Sequence, residues 1–222
     1  MGNGNSLFEV IGEDERRLLL SLMRRRRFAR GEVIYHQGDP GDAIHIVEKG
    51  HISFQVASPL GDQVILDVQQ PGDVFGLGGM LIPDHRRIGS AVALTKAETR
   101  SLAWSEFEKL RRSDPGVEQF MSELLAVQMR RLMDFVLESL YVPVETRVLR
   151  RLDELCDQLG EVDGDAICIT IRQDDIAAMA GTTRPTANRA LRAAEGSGLL
   201  RLRRGRVDIL DRPALAARAR RG

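Results

Sequence analysis

Residues 173–198, Gln-Asp-Asp-Ile-Ala-Ala-Met-Ala-Gly-Thr-Thr-Arg-Pro-Thr-Ala-Asn-Arg-Ala-Leu-Arg-Ala-Ala-Glu-Gly-Ser-Gly, limit what this chain can fold into more than any other stretch. Ile176, Ala177, Met179 and Ala180 give a first short helix an apolar face of small residues. Gly181 then supplies a position that tolerates φ > 0, as a sharp turn between helices demands. Thr182 or Thr183 is suited to cap the next helix with its side-chain oxygen. In that helix Ala187, Ala190, Leu191 and Ala194 recur at helical spacing and face inward. The opposite face carries Arg184, Asn188, Arg189 and Arg192, with Thr186 beside them. These side chains match phosphates and base edges. The spacing predicts a helix-turn-helix that enters double-stranded DNA.

Charge sharpens this reading. The chain has 32 basic and 32 acidic residues, a formal net charge of zero. Yet residues 181–222 hold eleven Arg against only Glu195, Asp208 and Asp211, so the balancing negative charge lies before them. A neutral total thus conceals a basic C-terminal end, the electrostatic footprint of a nucleic-acid-binding domain. Just downstream, Gly198–Leu210 reads as two short strands around Arg204-Gly205. Such a hairpin sets Arg203, Arg204 and Arg206 beside the second helix, as in a winged helix-turn-helix.

At 222 residues the chain has room for two domains with cores of their own. No run approaches ~18 consecutive apolar residues and no secretory leader is visible, so a cytoplasmic protein without a membrane partner is expected. Cys156 and Cys168 are its only cysteines, twelve apart, which fits a reducing compartment without assigning either a role. His36, His45, His51 and His85 show no metal-ligand spacing, and no nucleophile–base pair or carboxylate dyad emerges. No catalytic residue and no metal site are expected; cofactor and effector stay unknown.

The first half has a different texture. A short amphipathic helix over 13–25 (Leu18, Leu19, Leu22, Met23) precedes β-rich runs at Glu32–His36, Ile44–Glu48, Ile52–Ala57, Gln63–Val68, Ser90–Leu94 and Thr99–Ala103. Glycine-bearing turns separate them, including the stretch from Leu60 to Asp62. Many short strands at near-regular spacing indicate a sandwich or barrel. After Pro115 a helix of some 25 residues, ~38 Å at 1.5 Å per residue, carries Val117, Met121, Leu125, Met129, Leu132, Val136 and Leu140 along one stripe. Phe120, Leu124, Val127, Phe135 and Leu137 widen it. One domain cannot easily absorb so broad a stripe, so Met121, Leu125, Met129, Leu132 and Val136 are expected to form a homodimer seam. Tyr141-Val-Pro143 ends the helix as a hinge. A further helix over 144–160, a loop over 160–165 and a strand Ile167–Ile171 lead into the helix-turn-helix.

In this order the chain resembles the family of the cAMP receptor protein and the fumarate–nitrate regulators. The resemblance rests on Gly31-Glu-Val-Ile-Tyr through Gly50-His-Ile52, on Pro71-Gly-Asp-Val-Phe-Gly76, and on the winged helix-turn-helix; it runs from about residue 7 to 212. It implies an α+β chain in three parts. These are a cyclic-nucleotide-binding-type β-roll over 1–112, a dimerisation helix and hinge over 113–142, and a winged helix-turn-helix over 143–222. It also implies a homodimeric transcription regulator that reads an inverted repeat, works with RNA polymerase and takes a small effector in the roll.

The chain departs from that family where function is decided. Members that bind cAMP carry Glu in the ligand loop for the ribose hydroxyl and Arg at the next strand for the cyclic phosphate. Here the loop reads Phe75-Gly76-Leu77-Gly78-Gly79, with Leu77 in place of the Glu, and Gly89 stands in place of the Arg, before Ser90. A phosphate could still be held by the backbone N–H groups of Gly76–Gly79, by Ser90, or by Arg86 or Arg87. In the recognition helix, Pro185 replaces a Glu that would accept from cytosine, while Arg184 and Arg189 keep their places and Asn188 offers an amide for adenine. The expectation is a DNA-binding regulator with a degenerate pocket that does not take cAMP in the family's usual manner. The alternatives are a regulator that binds a cyclic nucleotide or dinucleotide through altered contacts, or a ligand-binding module that acts on a partner protein. Activation and repression, and the operator itself, are not distinguished at this level.

Overall fold

The computed structural model describes residues 13–58 and 61–220; the start of the resemblance at residues 7–12 and Leu60 lie outside them, as does the side chain of Leu18. Contacts divide the chain into two units, 1–62 with 66–132, and 63–65 with 133–222.

The first unit opens with helix α1 (Glu13–Leu22) and continues through eight strands: β1 (Arg24–Phe28), β2 (Val33–Tyr35), β3 (Ala43–Lys49), β4 (Ile52–Ala57), β5 (Gln63–Gln69), β6 (Val74–Phe75), β7 (Ser90–Ala93) and β8 (Ala97–Ala103). They form two four-stranded sheets, ordered β1-β8-β3-β6 and β2-β7-β4-β5. Helices α2 (Trp104–Ser113) and α3 (Pro115–Tyr141) follow. Strand alternation sorts the apolar side chains into two cores. Ile44 and Ile46 of β3, Val74 and Leu102 turn outward from the first sheet and pack with Leu19, Phe107, Leu110, Val117, Phe120 and Met121 of the helices. Val47 and Phe75 turn the other way and meet Tyr35, Ile52, Ala91 and Ala93 of the second sheet inside the roll. Burying each of Phe107 and Phe120 completely contributes about 1.5–3 kcal/mol.

Helix α3 changes character along its length. Val117, Phe120 and Met121 belong to the first core. From Leu125 onward, Leu125, Met129, Leu132, Met133, Val136, Leu137, Leu140 and Tyr141 are all exposed, Met129 at 63%. Met121, expected in a dimer seam, is therefore a residue of its own domain, and the uncovered part of the stripe starts one turn later.

The second unit packs α4 (Val144–Leu159), α5 (Gln173–Met179), α6 (Arg184–Gly196) and α7 (Arg212–Ala219) with a sheet of order β11-β12-β10-β9. Its strands are β9 (Gly160–Asp163), β10 (Ala166–Ile169), β11 (Leu200–Arg203) and β12 (Arg206–Ile209). Val148, Leu149, Leu152 and Leu155 of α4 are fully buried, as are Ile169, Ile176, Ala187, Leu191 and Leu215. Glu138, near the end of α3, pairs with Arg150 at 3.1 Å and with Arg151, which ties α3 to α4 across the Tyr141–Pro143 turn.

Several expectations need adjustment. Residues 160–163, read as loop, form β9 because Val162 and Glu161 pair with Ile167 and Cys168. Strand β1, with four successive arginines, lacks any alternation of hydrophobicity and owes its form to pairing with β8. Helices α2 and α7 were also not anticipated.

Candidate nucleic-acid interface and effector pocket

Helix α5 ends at Gly181, whose φ is +57°. The N–H of Thr182 donates to Ala177 O at 3.0 Å and that of Gly181 to Ala178 O at 3.3 Å. This pair of bonds is the Schellman closure, which only a left-handed residue at Gly181 permits. Thr183 occupies the N-cap of α6, but its hydroxyl caps no backbone group; it bonds Thr186 Oγ1 at 3.1 Å instead. The side-chain cap expected of Thr182 or Thr183 is absent, and Pro185, lacking an N–H, lowers the need for one in the first turn.

Buried Ala187, Ala190, Leu191 and Ala194 turn α6 so that Thr183, Arg184, Pro185, Arg189, Arg192 and Ala193 are exposed. Arg189 reaches Thr186 Oγ1 at 3.4 Å, and Arg184 Nε lies 3.5 Å from Asp174. Asn188 is only half-buried, and its Oδ1 is enclosed without a hydrogen-bond donor. It therefore sits on the flank of the exposed face, not at its centre.

The wing is the β11–β12 hairpin, turning at Arg204-Gly205 with Arg203 opposite Arg206. Its arginines differ in a way their spacing did not reveal. Asp208 is 2% exposed, and its carboxylate accepts from Arg203 Nε at 2.7 Å and from Arg206 Nε. Arg206 also pairs with Asp163 at 2.8 Å. Burial pushes the Asp208 carboxyl upward, but the hydrogen bonds from Arg206 and Cys168 and the charges of Arg206 and Arg203 together outweigh it; the net shift is down, which keeps Asp208 ionised. Arg201 and Arg204 are exposed. Glu195, in the last turn of α6, accepts from Arg192 at 2.6 Å and from the Leu202 N–H at 2.8 Å. Asp208 and Glu195 lie against these arginines, and the sequence did not single them out; Arg206 and Asp208, two apart on one strand, share a face, which was the available signal.

In the β-roll, Phe75 is part of the inner core and Leu77 is 4% exposed among the helix-side apolar residues. Gly78 and Gly79 belong to a short 3-10 turn, Gly78–Met80. Strand β7 begins only at Ser90, so Arg87 does not share a strand face with Gly89. The Arg87 side chain is instead buried. It donates to Gly76 O at 2.9 Å and Ala43 O at 2.8 Å, pairs with Asp42 at 3.1 Å, and lies 4.1 Å from the Tyr35 ring centre. Arg86 donates to Gly38 O at 2.7 Å, and Ser90 Oγ accepts from the Gln37 N–H at 2.9 Å. At Gly89 a Cβ atom would stand 2.6 Å from Phe54 Cζ and 2.7 Å from Gln55 O. That position has no room for any side chain.

His45 stacks on Phe75 with ring centres 5.0 Å apart and meets Thr99 Oγ1 at 3.4 Å. Burial, with the nearby positive charge of Arg87, lowers its pKa to about 3, so the ring is neutral. Burial likewise raises Tyr35 to about 12. Among the described residues no group of three or more His, Cys, Asp or Glu side chains is placed to hold a metal ion. No helix there is long and apolar enough to cross a membrane.

Comparison with known proteins agrees with both halves. Residues 25–114 match the cyclic nucleotide-binding domain and residues 146–218 the Crp-like helix-turn-helix domain. The cyclic AMP receptor protein of Thermus thermophilus is 32% identical over 210 residues, covering 94% of each chain. A CRP-like cAMP-activated global transcriptional regulator of Mycobacterium tuberculosis is 29% identical over 195 residues, covering 87% of each. Among solved structures, a CRP-family transcriptional regulator of Thermus thermophilus superposes with a TM-score of 0.75 at 27% identity, over 87% of this chain and 96% of that one. With a nucleotide-binding-type roll, a long helix and a winged helix-turn-helix in this order, the chain belongs to the Crp/Fnr family of DNA-binding transcription regulators.

Proposed function

We propose that this regulator binds an inverted-repeat site as a homodimer and that its β-roll does not take cyclic AMP in the manner of the cAMP-activated relatives. The observation that carries the second half is steric and electrostatic at once. Position 89 has no space for a phosphate-binding arginine, Leu77 lies in an apolar core where a carboxylate would stand unpaired, and Arg87 is engaged by main-chain carbonyls. The exposed apolar stripe from Leu125 to Tyr141 supports the dimer, since so much uncovered apolar surface on one helix marks an association face. In this reading α3 from Leu125 onward is the dimerisation segment, the roll before it is the effector domain, and residues 143–222 form the DNA-binding domain. Thr183, Arg184, Arg189 and Arg204 carry the contact with DNA. The protein works in the cytoplasm, where duplex DNA and RNA polymerase are its partners.

Calorimetry of the full-length protein with cyclic AMP tests the pocket. The expected result is no heat of binding at low-micromolar concentrations. Low-micromolar binding would overturn this reading, and its loss in an Arg87→Ala protein that is still folded by circular dichroism would assign Arg87 to the phosphate. The same titration with a cyclic dinucleotide separates a changed ligand from an inert roll. Salt-dependent binding to duplex DNA excludes a module that acts only on a partner protein.

A further inference from the structure

Between Gly181 and the chain end, only three acidic residues stand among eleven arginines, and each has a defined task. Asp211 caps α7 by accepting from the Ala214 N–H at 2.9 Å. The other two face the arginines of the interface. Asp208 holds Arg203 and Arg206, helped by Asp163, and Glu195 holds Arg192 while bonding the Leu202 N–H of the wing's edge strand. Of the six arginines expected to meet DNA, these two carboxylates hold three, and a fourth, Arg184, lies 3.5 Å from Asp174. Asp208 is nearly inaccessible to water, and a buried carboxylate is tolerated only with such partners, so this pairing is part of the folded domain and no accident of mobile surface chains.

We propose that Asp208 and Glu195 are specificity-determining residues which, by neutralising Arg203, Arg206 and Arg192, lower the affinity of this domain for DNA of arbitrary sequence. Non-specific binding is set by the number of cations that displace counterions from phosphates, about 0.9 in the slope of log K against log salt for each. A regulator is useful through the ratio of specific to non-specific affinity. Internal carboxylates that remove three cations from the phosphate count, while Arg189, Arg201 and Arg204 remain to engage the duplex, raise that ratio. Glu195 also braces the wing against α6, because it joins α6 to β11. The proposal rests on the DNA-binding reading above, and the experiment separates the two.

The full-length protein and its Glu195→Gln and Asp208→Asn variants are titrated by fluorescence anisotropy with one duplex of scrambled sequence and one selected from random pools, at several KCl concentrations. Both variants keep a hydrogen-bonding side chain of the same size. Freed guanidinium groups should steepen the salt slope on scrambled DNA by about 0.9 per subunit in Glu195→Gln and by up to about 1.8 in Asp208→Asn. At ~0.1 M salt the scrambled duplex should then bind up to about eightfold more tightly for each arginine released, with a reduced ratio of specific to non-specific affinity. An unchanged or shallower slope in variants whose circular dichroism and melting match the parent would overturn the proposal and leave the carboxylates with a structural role alone. If Asp208→Asn does not fold, Glu195→Gln decides. Failure of the parent to bind either duplex in a salt-dependent way would instead overturn the DNA-binding reading itself.

Discussion

The guanidinium of Arg87 lies 4.1 Å from the centre of the Tyr35 ring while its Nη atoms bond the main-chain oxygens of Gly76 and Ala43. One buried cation thereby links the loop after β6, the start of β3 and an aromatic ring of β2. Positive charge over a ring face is favourable, and more so where water is excluded. Removing the side chain leaves two carbonyls in a closed space without a donor. Arg87→Ala should therefore destabilise the protein by about 2–4 kcal/mol, read as a lower denaturant midpoint in urea. Arg87→Lys should recover only part of the loss, because an ammonium carries its donors on one nitrogen and lacks the planar fork that reaches both carbonyls while lying over the ring. A change under about 0.5 kcal/mol for Arg87→Ala would show that Arg87 is not a structural clamp.

His45 makes stability depend on pH in a defined window. Its folded pKa, about 3, lies below the value near 6.5 of an unfolded histidine. Between these values the unfolded state binds the extra proton, so stability is complete above the unfolded pKa and falls as pH drops toward the folded one. The slope is about 1.4 kcal/mol per pH unit at most. His45→Phe, which preserves stacking on Phe75, should flatten the loss of thermal stability between pH 6 and 4. An identical pH profile in the variant would show that His45 is not the group responsible.

The handover at the start of α3 separates two kinds of substitution. Leu132→Glu or Met129→Glu alters an exposed position of one chain, so each should leave the fold intact and yield monomers in multi-angle light scattering. Met121→Ala removes a buried side chain and should cost about 2–5 kcal/mol of stability while the dimer persists. Dimers of normal mass from both glutamate variants would place the subunit contact elsewhere.

Arg189 and Arg204 should differ in what they read. Arg189 is exposed on α6 and Arg204 at the tip of the wing. Arg189→Ala should cost about 1–3 kcal/mol per half-site and relax preference at one base pair. Arg204→Ala should weaken all sequences alike and lower the salt slope by about 0.9 per subunit. Selection from random duplexes followed by titration at two salt concentrations checks both. A rewritten motif in Arg204→Ala with an unchanged one in Arg189→Ala would reverse the assignment.

Local signals carried the architecture well. Gly181 between two small-residue helices, the glycine-punctuated strands and the apolar step of α3 each follow from short-range physics, and each lies where its pattern implies. What was not legible depended on pairing across the chain. Strand β1 has no alternating pattern, and four arginines take extended form because β8 lies beside them. Arg87 read as a free cation because nothing local to it shows that Gly76, Ala43 and Tyr35 converge on its side chain. The wing arginines read as equivalent because Asp163, 43 residues from Arg206, enters only through the fold. Thr183 looked like a helix cap, yet a second hydroxyl at Thr186 competes for it.

The point along α3 at which the apolar stripe leaves the protein's own core has a bearing on dose. Val117, Phe120 and Met121 are covered in a single chain, whereas the apolar side chains from Leu125 to Tyr141 are exposed there and would gain cover in the proposed homodimer. For such a helix the free energy of the assembled state contains the logarithm of the protein's own concentration, so each tenfold dilution removes about 1.4 kcal/mol. The number of molecules in a cell would then be an input in its own right. A modest rise in synthesis would convert inactive single chains into pairs able to grip two grooves at once, even where the β-roll senses nothing.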